Sequence, residues 1–145
     1  MTDKSNKWIK IYFQVVEKLL KYHNMRQPLP FDKLKIVNYY KNYKLNETYG
    51  WKYQRHHIEE IYISGAILQT YKEAYAKGLS IIVTQEQHCL LHYLIVLAQT
   101  TIPNNGMLVQ VDIATWDKFV KQQCEIFEVE YVPNWHDYLK SGLEF

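Results

Sequence analysis

This 145-residue chain has few cysteines, little net charge and no long apolar run. Its two cysteines, Cys89 and Cys124, lack the C-x-x-C spacing of a zinc knuckle or redox pair, so we expect buried free thiols in a reducing setting. The longest apolar run, residues 89–98, is interrupted by His92 and falls short of the about 18 apolar residues that a membrane helix requires. We therefore expect a protein that does not span a membrane.

Residues 1–7 are polar and charged, so we expect no signal peptide and a cytoplasmic protein. A net charge of +2 is weaker than the basic footprint of a protein that coats DNA. An enzyme that neutralises a phosphate with a metal ion can work with so modest a charge. The charge alone therefore neither requires nor excludes nucleic acid.

What the chain does have is a high aromatic content, 15%, which includes thirteen tyrosines. Most of these side chains are interpreted as half-buried amphipathic residues of the core. The length suits one domain, and no repeat, low-complexity segment or linker divides it. We predict a single, mostly helical α+β domain spanning residues 1–145.

Hydrophobic periodicity and turn signals predict the order of the elements along the chain. Thr84 and Gln87 form a capping-box pattern that opens the most strongly predicted helix. The predicted elements are a helix over 8–22, a helix over 31–43, a turn over 46–50, a strand over 51–58, an irregular stretch over 59–65, a helix over 66–77, a strand over 80–83, a helix over 84–99, a helix from 112 or 115 to 127, and a short helix over 133–142.

Four of the six histidines fall on two of these elements. His56 and His57 lie near the end of a predicted strand, and His88 and His92 lie one turn apart on the same face of the capped helix. Two imidazoles at that spacing can share one divalent ion, and a strand histidine would complete three protein ligands. Such a set leaves coordination positions open for water and substrate, which is typical of catalytic sites.

The adjacent pair can divide two tasks, because successive strand side chains point to opposite faces. One histidine can bind the ion while the other accepts a proton from water, and a neutral imidazole with a pKa near about 6.5 is a suitable base. Either pair alone is more often an ordinary core or surface feature; the two together favour a metal site. His23 and His136 lie outside this pattern and are interpreted as structural.

Residues 53–58, Tyr-Gln-Arg-His-His-Ile, followed by residues 81–92, which contain Thr-x-x-x-His-x-x-x-His, resemble a known family. The pattern is similar to the HNH endonucleases, also called His-Me finger or ββα-metal nucleases, and especially to the HNH proteins of phage genomes. The resemblance covers residues 50–98 well and residues 8–22 loosely. Helices flanking the motif are expected over 8–22 and 112–141.

The resemblance implies a metal-dependent DNA endonuclease or nickase, in the host cytoplasm if the gene is carried by a phage. His56, His88 and His92 would bind one divalent ion (magnesium, manganese, zinc or nickel), and His57 would be the general base. The chemistry implied is hydrolysis of a phosphodiester, with DNA as the partner.

The chain departs from the family pattern where a central Asn normally orients the base. Residues 78–80 read Gly-Leu-Ser, so Ser80 is the nearest substitute, and residues 66–77 form an apparent insertion between the two strands. Arg55 would contact a phosphate or be a solvated arginine of an edge strand. Glu59 or Glu60 would hydrogen-bond a ligand histidine or be a solvated surface carboxylate.

A rival hypothesis is a non-catalytic HNH-like protein that binds a nucleic acid or a protein, such as an inhibitor of a host defence nuclease. The missing Asn and the weak charge favour this rival, whereas His57 favours catalysis. A structural zinc site is disfavoured, since three histidines without a cysteine ligand are unusual for one. A homodimer remains open through an apolar stripe that would otherwise face the core: Trp116, Phe119, Val120 and Ile126.

Overall fold

The computed structural model describes residues 3–45 and 50–141. The α-helices are α1 (Asp3–Tyr22), α2 (Gly65–Leu68), α3 (Lys72–Lys77), α4 (Gln85–Ala98) and α5 (Ile113–Phe127), and the strands are β1 (Leu29–Pro30), β2 (Tyr53–His57) and β3 (Leu79–Thr84). Four short 3-10 helices lie between or after them: Ile36–Asn38, Ile58–Ile61, Gly106–Val109 and Trp135–Tyr138. The coarse prediction of a helix-rich α+β fold is confirmed.

The sheet has three antiparallel strands in the order β1-β3-β2. Strand β3 lies in the centre because its residues 80–84 are buried and rich in β-branched side chains, which pack well in a covered strand. Its partner β2 is in register such that His56 lies opposite Ile81 and His57 opposite Ser80. This register places the histidine pair at the end of the sheet where β3 begins.

Strand β3 continues into α4 without a connecting loop. The Thr84 hydroxyl accepts a hydrogen bond from the Gln87 backbone N–H (3.1 Å), and the Thr84 backbone N–H donates to the Gln87 side chain (2.9 Å). This reciprocal pair is the capping box that the sequence predicts, and it satisfies two polar groups that would otherwise be unpaired at the start of a buried helix.

Helix α4 is almost fully buried between α1, α5 and the sheet. Trp116 of α5 is completely buried and donates its indole N–H to the Cys89 carbonyl (2.9 Å). Val120 is buried as well, so Trp116 and Val120 belong to the core rather than to an exposed interface stripe, while Ile126 is exposed. Cys89 and Cys124 are buried free thiols, as expected.

The helix predicted over residues 31–43 is wrong, because that segment is held by contacts with other parts of the chain. The backbone N–H groups of Phe31 and Asp32 donate to the carbonyls of Gly78 and Ala76. The Asn42 side chain then binds both backbone polar groups of Tyr53 (2.8 and 2.9 Å). A side chain therefore pairs with the edge of β2, and only the 3-10 turn Ile36–Asn38 is helical.

Two further helix predictions need correction. Residues 66–77 form two short helices, α2 and α3, with a break between them, rather than one helix. Of residues 133–141, the part of this range that the structure describes, only Trp135–Tyr138 is helical, as a 3-10 turn that follows Asn134 in a left-handed conformation with φ 61°. The flanking helix expected over 112–141 therefore ends at Phe127, and the turn predicted over 46–50 lies largely outside the described residues.

Within the described ranges, the structure contains no helix that combines the length and the apolar character needed to cross a bilayer.

Candidate metal centre

Three histidines, one from β2 and two from α4, lie close together. Nitrogen atoms of His56 on β2 and of His88 and His92 on α4 all lie within 4.8 Å of one another. The rings of His88 and His92 are 4.8 Å apart between centroids, and that of His56 lies 5.0 and 5.2 Å from them. The structure thus brings together the three residues that the sequence predicts as ligands.

Hydrogen bonds decide which nitrogen of His56 carries its proton. The Tyr12 hydroxyl has one hydrogen and donates it to the Ile58 carbonyl (2.8 Å), so it accepts from Nε2 of His56 (2.8 Å). His56 is therefore protonated at Nε2, and its lone pair is on Nδ1. That Nδ1 atom is buried and has no hydrogen-bond partner among the described residues.

His88 is fixed in the same way by a glutamine. The Gln54 amide nitrogen donates to the Trp51 carbonyl and to the Gln110 side chain (both 2.7 Å), which leaves its Oε1 to accept from Nδ1 of His88 (2.6 Å). The lone pair of His88 is then on Nε2, which is also buried and without a partner in the described chain. A buried polar atom left unpaired normally costs stability, so two in one place indicate a ligand site.

The protonation of these imidazoles suits a cation. Burial lowers the pKa of His56 and of His88 well below 6.5, and each is lowered further by a neighbouring imidazole. Burial also lowers the pKa of His92 to about 4. Neutral imidazoles are the form that binds metals, and each of the first two is oriented by a hydrogen bond on its other nitrogen, as ligand histidines usually are. The residues therefore fit a divalent ion.

Glu60 lies at the same point because the 3-10 helix Ile58–Ile61 turns the chain back over the end of β2. Its side chain is only 13% exposed, and its oxygens lie 3.6 Å from Nδ1 of His56 and 3.7 Å from Nε2 of His92. Burial raises the pKa of Glu60 to about 7, against a hydrogen bond from the His57 backbone N–H. The carboxylate expected to be an orienting or surface group is thus part of the cluster.

His57 occupies a neighbouring compartment, as strand alternation predicts. Its ring stacks on Phe31 (4.4 Å between centroids), and its Nε2–H donates to the Tyr75 carbonyl (2.6 Å). Nδ1 therefore carries the lone pair and lies 3.9 Å from Glu60. Burial lowers the pKa of His57, so the ring is neutral near pH 7. The side chain is only 2% exposed.

The Tyr75 carbonyl takes the orienting position for which the sequence suggested Ser80. The Ser80 hydroxyl instead donates to the Gly78 carbonyl (3.0 Å). The Glu59 carboxylate lies beside Gly78, since a Cβ added to Gly78 would contact this carboxylate and would lie 2.9 Å from the His57 ring. Helix α3, part of the apparent insertion, is therefore a wall of this compartment.

Arg55 is neither free nor fully solvated. Its guanidinium group lies over the Phe31 ring (3.7 Å to the centroid) and donates to the Phe31 carbonyl (2.8 Å). Arg55 also lines an open cleft of 1510 Å³ whose wall includes His57, Glu60, His88 and His92. The other cations that line it are Lys35 and Lys41, whereas Glu60 is the one acidic residue among its described lining residues.

Sequence reasoning missed two residues that orient the cluster. Gln54 carried a usable signal, because it lies two positions before His56 on a strand and so shares its face. Tyr12 carried none, since its hydroxyl reaches β2 from a helix more than forty residues away in the chain and its spacing is that of any core position. The Tyr75 acceptor is main chain and has no side-chain signature.

Comparison with protein families, with curated proteins and with solved structures finds no match for this chain.

The hydrogen bond from His56 to Tyr12 can be tested in metal-free protein. In Tyr12→Phe, the Nε2–H of His56 and the Ile58 carbonyl both lose a buried partner. The free energy of unfolding should fall by about 1–3 kcal/mol, measured by urea denaturation. Tyr71→Phe, which removes the hydroxyl of a side chain that is 61% exposed, is the control and should leave stability unchanged. Equal stability of the two variants would contradict the buried network.

The buried imidazoles also predict how stability depends on pH when metal is removed. The unfolded chain binds protons at histidine near pH 6.5, whereas folded His92 binds one only near about 4, so acid favours unfolding between these values. Glu60 acts in the opposite direction, since its folded pKa of about 7 exceeds the ordinary glutamate value of 4.5. The lowered pKa values of His56 and His88 add to the effect of His92. The midpoint of urea denaturation should therefore fall as the pH is lowered from 6.5 to 4.

The matched variants are His92→Gln, which should flatten this decline, and His136→Gln at an exposed position, which should not. A midpoint that stays constant or rises from pH 6.5 to 4 would show that the cluster is not buried in its neutral form.

Proposed function

We propose that this protein is a metal-dependent nuclease that hydrolyses phosphodiester bonds in DNA. The observation that carries the proposal is the pair of buried, unpartnered lone pairs on His56 and His88, which converge with His92 at the wall of an open cleft. The likeness of residues 53–58 and 81–92 to the HNH motif supports the same assignment. The antiparallel pair β2 and β3, followed directly by α4, is the order that such a motif requires.

The residues that would hold the ion are His56, His88 and His92. A bound divalent ion would supply Lewis-acid polarisation and neutralise charge on the phosphate. Among the divalent metals, nickel, copper and zinc bind nitrogen ligands most tightly, while magnesium prefers oxygen. The cleft contributes Lys35, Lys41 and Arg55, which would attract a polyanionic strand.

His57 would act as the general base through Nδ1. That atom carries the lone pair, because Nε2–H is engaged by the Tyr75 carbonyl. When Nδ1 accepts a proton from water, the carbonyl stabilises the resulting imidazolium, and stacking on Phe31 keeps the ring from rotating. The Tyr75 carbonyl thus performs the orienting task for which the family normally uses an Asn side chain.

A second function, binding without catalysis, is favoured by the burial of His57. A base that is 2% exposed and lies 3.9 Å from a carboxylate has little access to water in this conformation. Under this alternative the histidine cluster would hold an ion that stabilises the fold, and the cleft would bind a nucleic acid or a protein.

Isothermal titration with zinc, manganese or nickel should find one metal site per chain. His92→Ala should weaken binding by at least about 100-fold, since a lost ligand costs more than a lost outer partner. His136→Ala removes an exposed histidine from outside the cluster and should bind as the wild type does. Unchanged affinity in His92→Ala would remove the metal site from this proposal.

Nicking of supercoiled plasmid separates the nuclease from its non-catalytic alternative. With magnesium, manganese or nickel, the wild type should nick DNA, and His57→Ala should do so about 10²–10⁴-fold more slowly while retaining metal, because only the base is lost. His56→Ala should lose metal and activity together. A metal-loaded wild type that cuts neither single- nor double-stranded DNA would leave the binding function as the better assignment.

A further inference from the structure

The approach of Glu60 to the imidazoles of His56 and His92 is not explained by hydrogen bonds to them. Its Oε2 lies 3.6 Å from Nδ1 of His56, and its Oε1 lies 3.7 Å from Nε2 of His92, both too long for hydrogen bonds. Nδ1 of His56 carries a lone pair, since Nε2 of the same ring donates to Tyr12. An ionised carboxylate offers only lone pairs as well. Ionised or protonated, Glu60 is too far from either imidazole to hydrogen-bond it, so these polar atoms face each other without a hydrogen bond in a buried site, which a cation between them would stabilise.

The separations are those of atoms that share an ion. Two donors that each lie about 2.0–2.2 Å from one ion in tetrahedral geometry are about 3.4 Å apart. The distances from Oε2 of Glu60 to His56 and from its Oε1 to His92 are each within a few tenths of an ångström of this value, so the two carboxylate oxygens each lie at ligand spacing from one imidazole. A hydrogen-bonded orienting group would instead lie about 2.7–3.0 Å from its histidine, as Gln54 does from His88.

The local structure holds the carboxylate at this point. The 3-10 helix Ile58–Ile61 brings Glu60 back beside the residues that end β2, and the His57 backbone N–H hydrogen-bonds it. Gly65 leaves room for the group, because a Cβ there would lie 3.3 Å from the carboxyl carbon of Glu60. Glu59, the adjacent residue, has its carboxylate beside Gly78 instead, and so provides a matched control.

We propose that Glu60 is a direct ligand of the ion, which makes the site a three-histidine, one-carboxylate centre. This inference rests on the metal site of the proposed function and extends it. Four protein ligands complete a tetrahedron, so zinc in that geometry would have no position left for substrate. An ion that takes six ligands, such as manganese or nickel, retains two positions. Hydrolysis at this site would therefore require a coordination number above four, whereas a tetrahedral ion, whose donor spacing the measured distances match, would leave no position for substrate.

The test uses Co²⁺ as the probe, with affinity measured by competition with a chelator and the ligand set monitored by visible absorption. Glu60→Gln should bind Co²⁺ at least about 100-fold more weakly than the wild type and with a changed spectrum, since loss of an orienting group alone costs about 10–100-fold. Glu59→Gln should match the wild type in both measurements. Glu60→Asp, which keeps a shorter carboxylate, should bind Co²⁺ more tightly than Glu60→Gln.

Metal-free Glu60→Gln should be at least as stable as the wild type in thermal unfolding, because the new amide can donate a hydrogen bond to Nδ1 of His56. This result would show that lost affinity is not lost folding. If Glu60→Gln keeps the affinity and the spectrum of the wild type, the assignment of Glu60 as a ligand is overturned. If Glu60→Gln fails to fold, Glu60→Asp decides. Wild-type affinity with an altered spectrum in Glu60→Asp supports the assignment, and a spectrum identical to that of the wild type overturns it. Failure of the wild type to bind Co²⁺ overturns both the ligand and the metal site. Metal binding without DNA cleavage overturns the nuclease function alone.

Discussion

The pairing of β2 with β3 is the constraint on which the site depends. Because β3 enters α4 with no intervening loop, the register that sets His56 opposite Ile81 also fixes where α4 begins. A shift of one residue would exchange the faces of His56 and His57 and separate the cluster. The capping box then holds the first turn of α4, so that His88 and His92 meet the strand histidine. Ordinary backbone pairing thus determines the spacing of the donor atoms.

Burial of the histidine cluster costs folding free energy, and the hydrogen bonds around the cluster reduce this cost without removing it. Tyr12 and Gln54 satisfy one nitrogen each on His56 and His88, which leaves the other nitrogen unpaired. A core built for stability alone would have filled this volume with apolar side chains or satisfied every atom. The arrangement is understandable when a ligand supplies the missing partner, because a hydrogen bond on the other nitrogen of each ring already sets its orientation.

The sequence was sufficient for the features that depend on local patterns. Helix α4 and its cap follow from Thr84 and Gln87, and the histidine cluster follows from a one-turn spacing beside a strand. Residues 31–43 were misassigned, because their backbone bonds to α3 and β2 come from distant segments. The orienting hydroxyl of Tyr12 was missed for the same reason, since no local pattern distinguishes a tyrosine that only packs from one that also accepts a hydrogen bond. The correctly predicted features depend on local patterns, whereas the missed ones depend on hydrogen bonds between distant segments of the chain.

The Tyr75 carbonyl gives the site an unusual form of mutational tolerance. Since every amino acid supplies a main-chain carbonyl, the acceptor for His57 does not depend on which side chain occupies position 75. It depends on the path of the chain, which α3 and its bonds to Phe31 and Asp32 define. Substitutions at the exposed positions of α3, such as Lys72, Glu73 and Lys77, can accumulate while the orientation of His57 is kept, whereas the loss or gain of a residue would move the acceptor. The length of this segment is thus under tighter constraint than its composition.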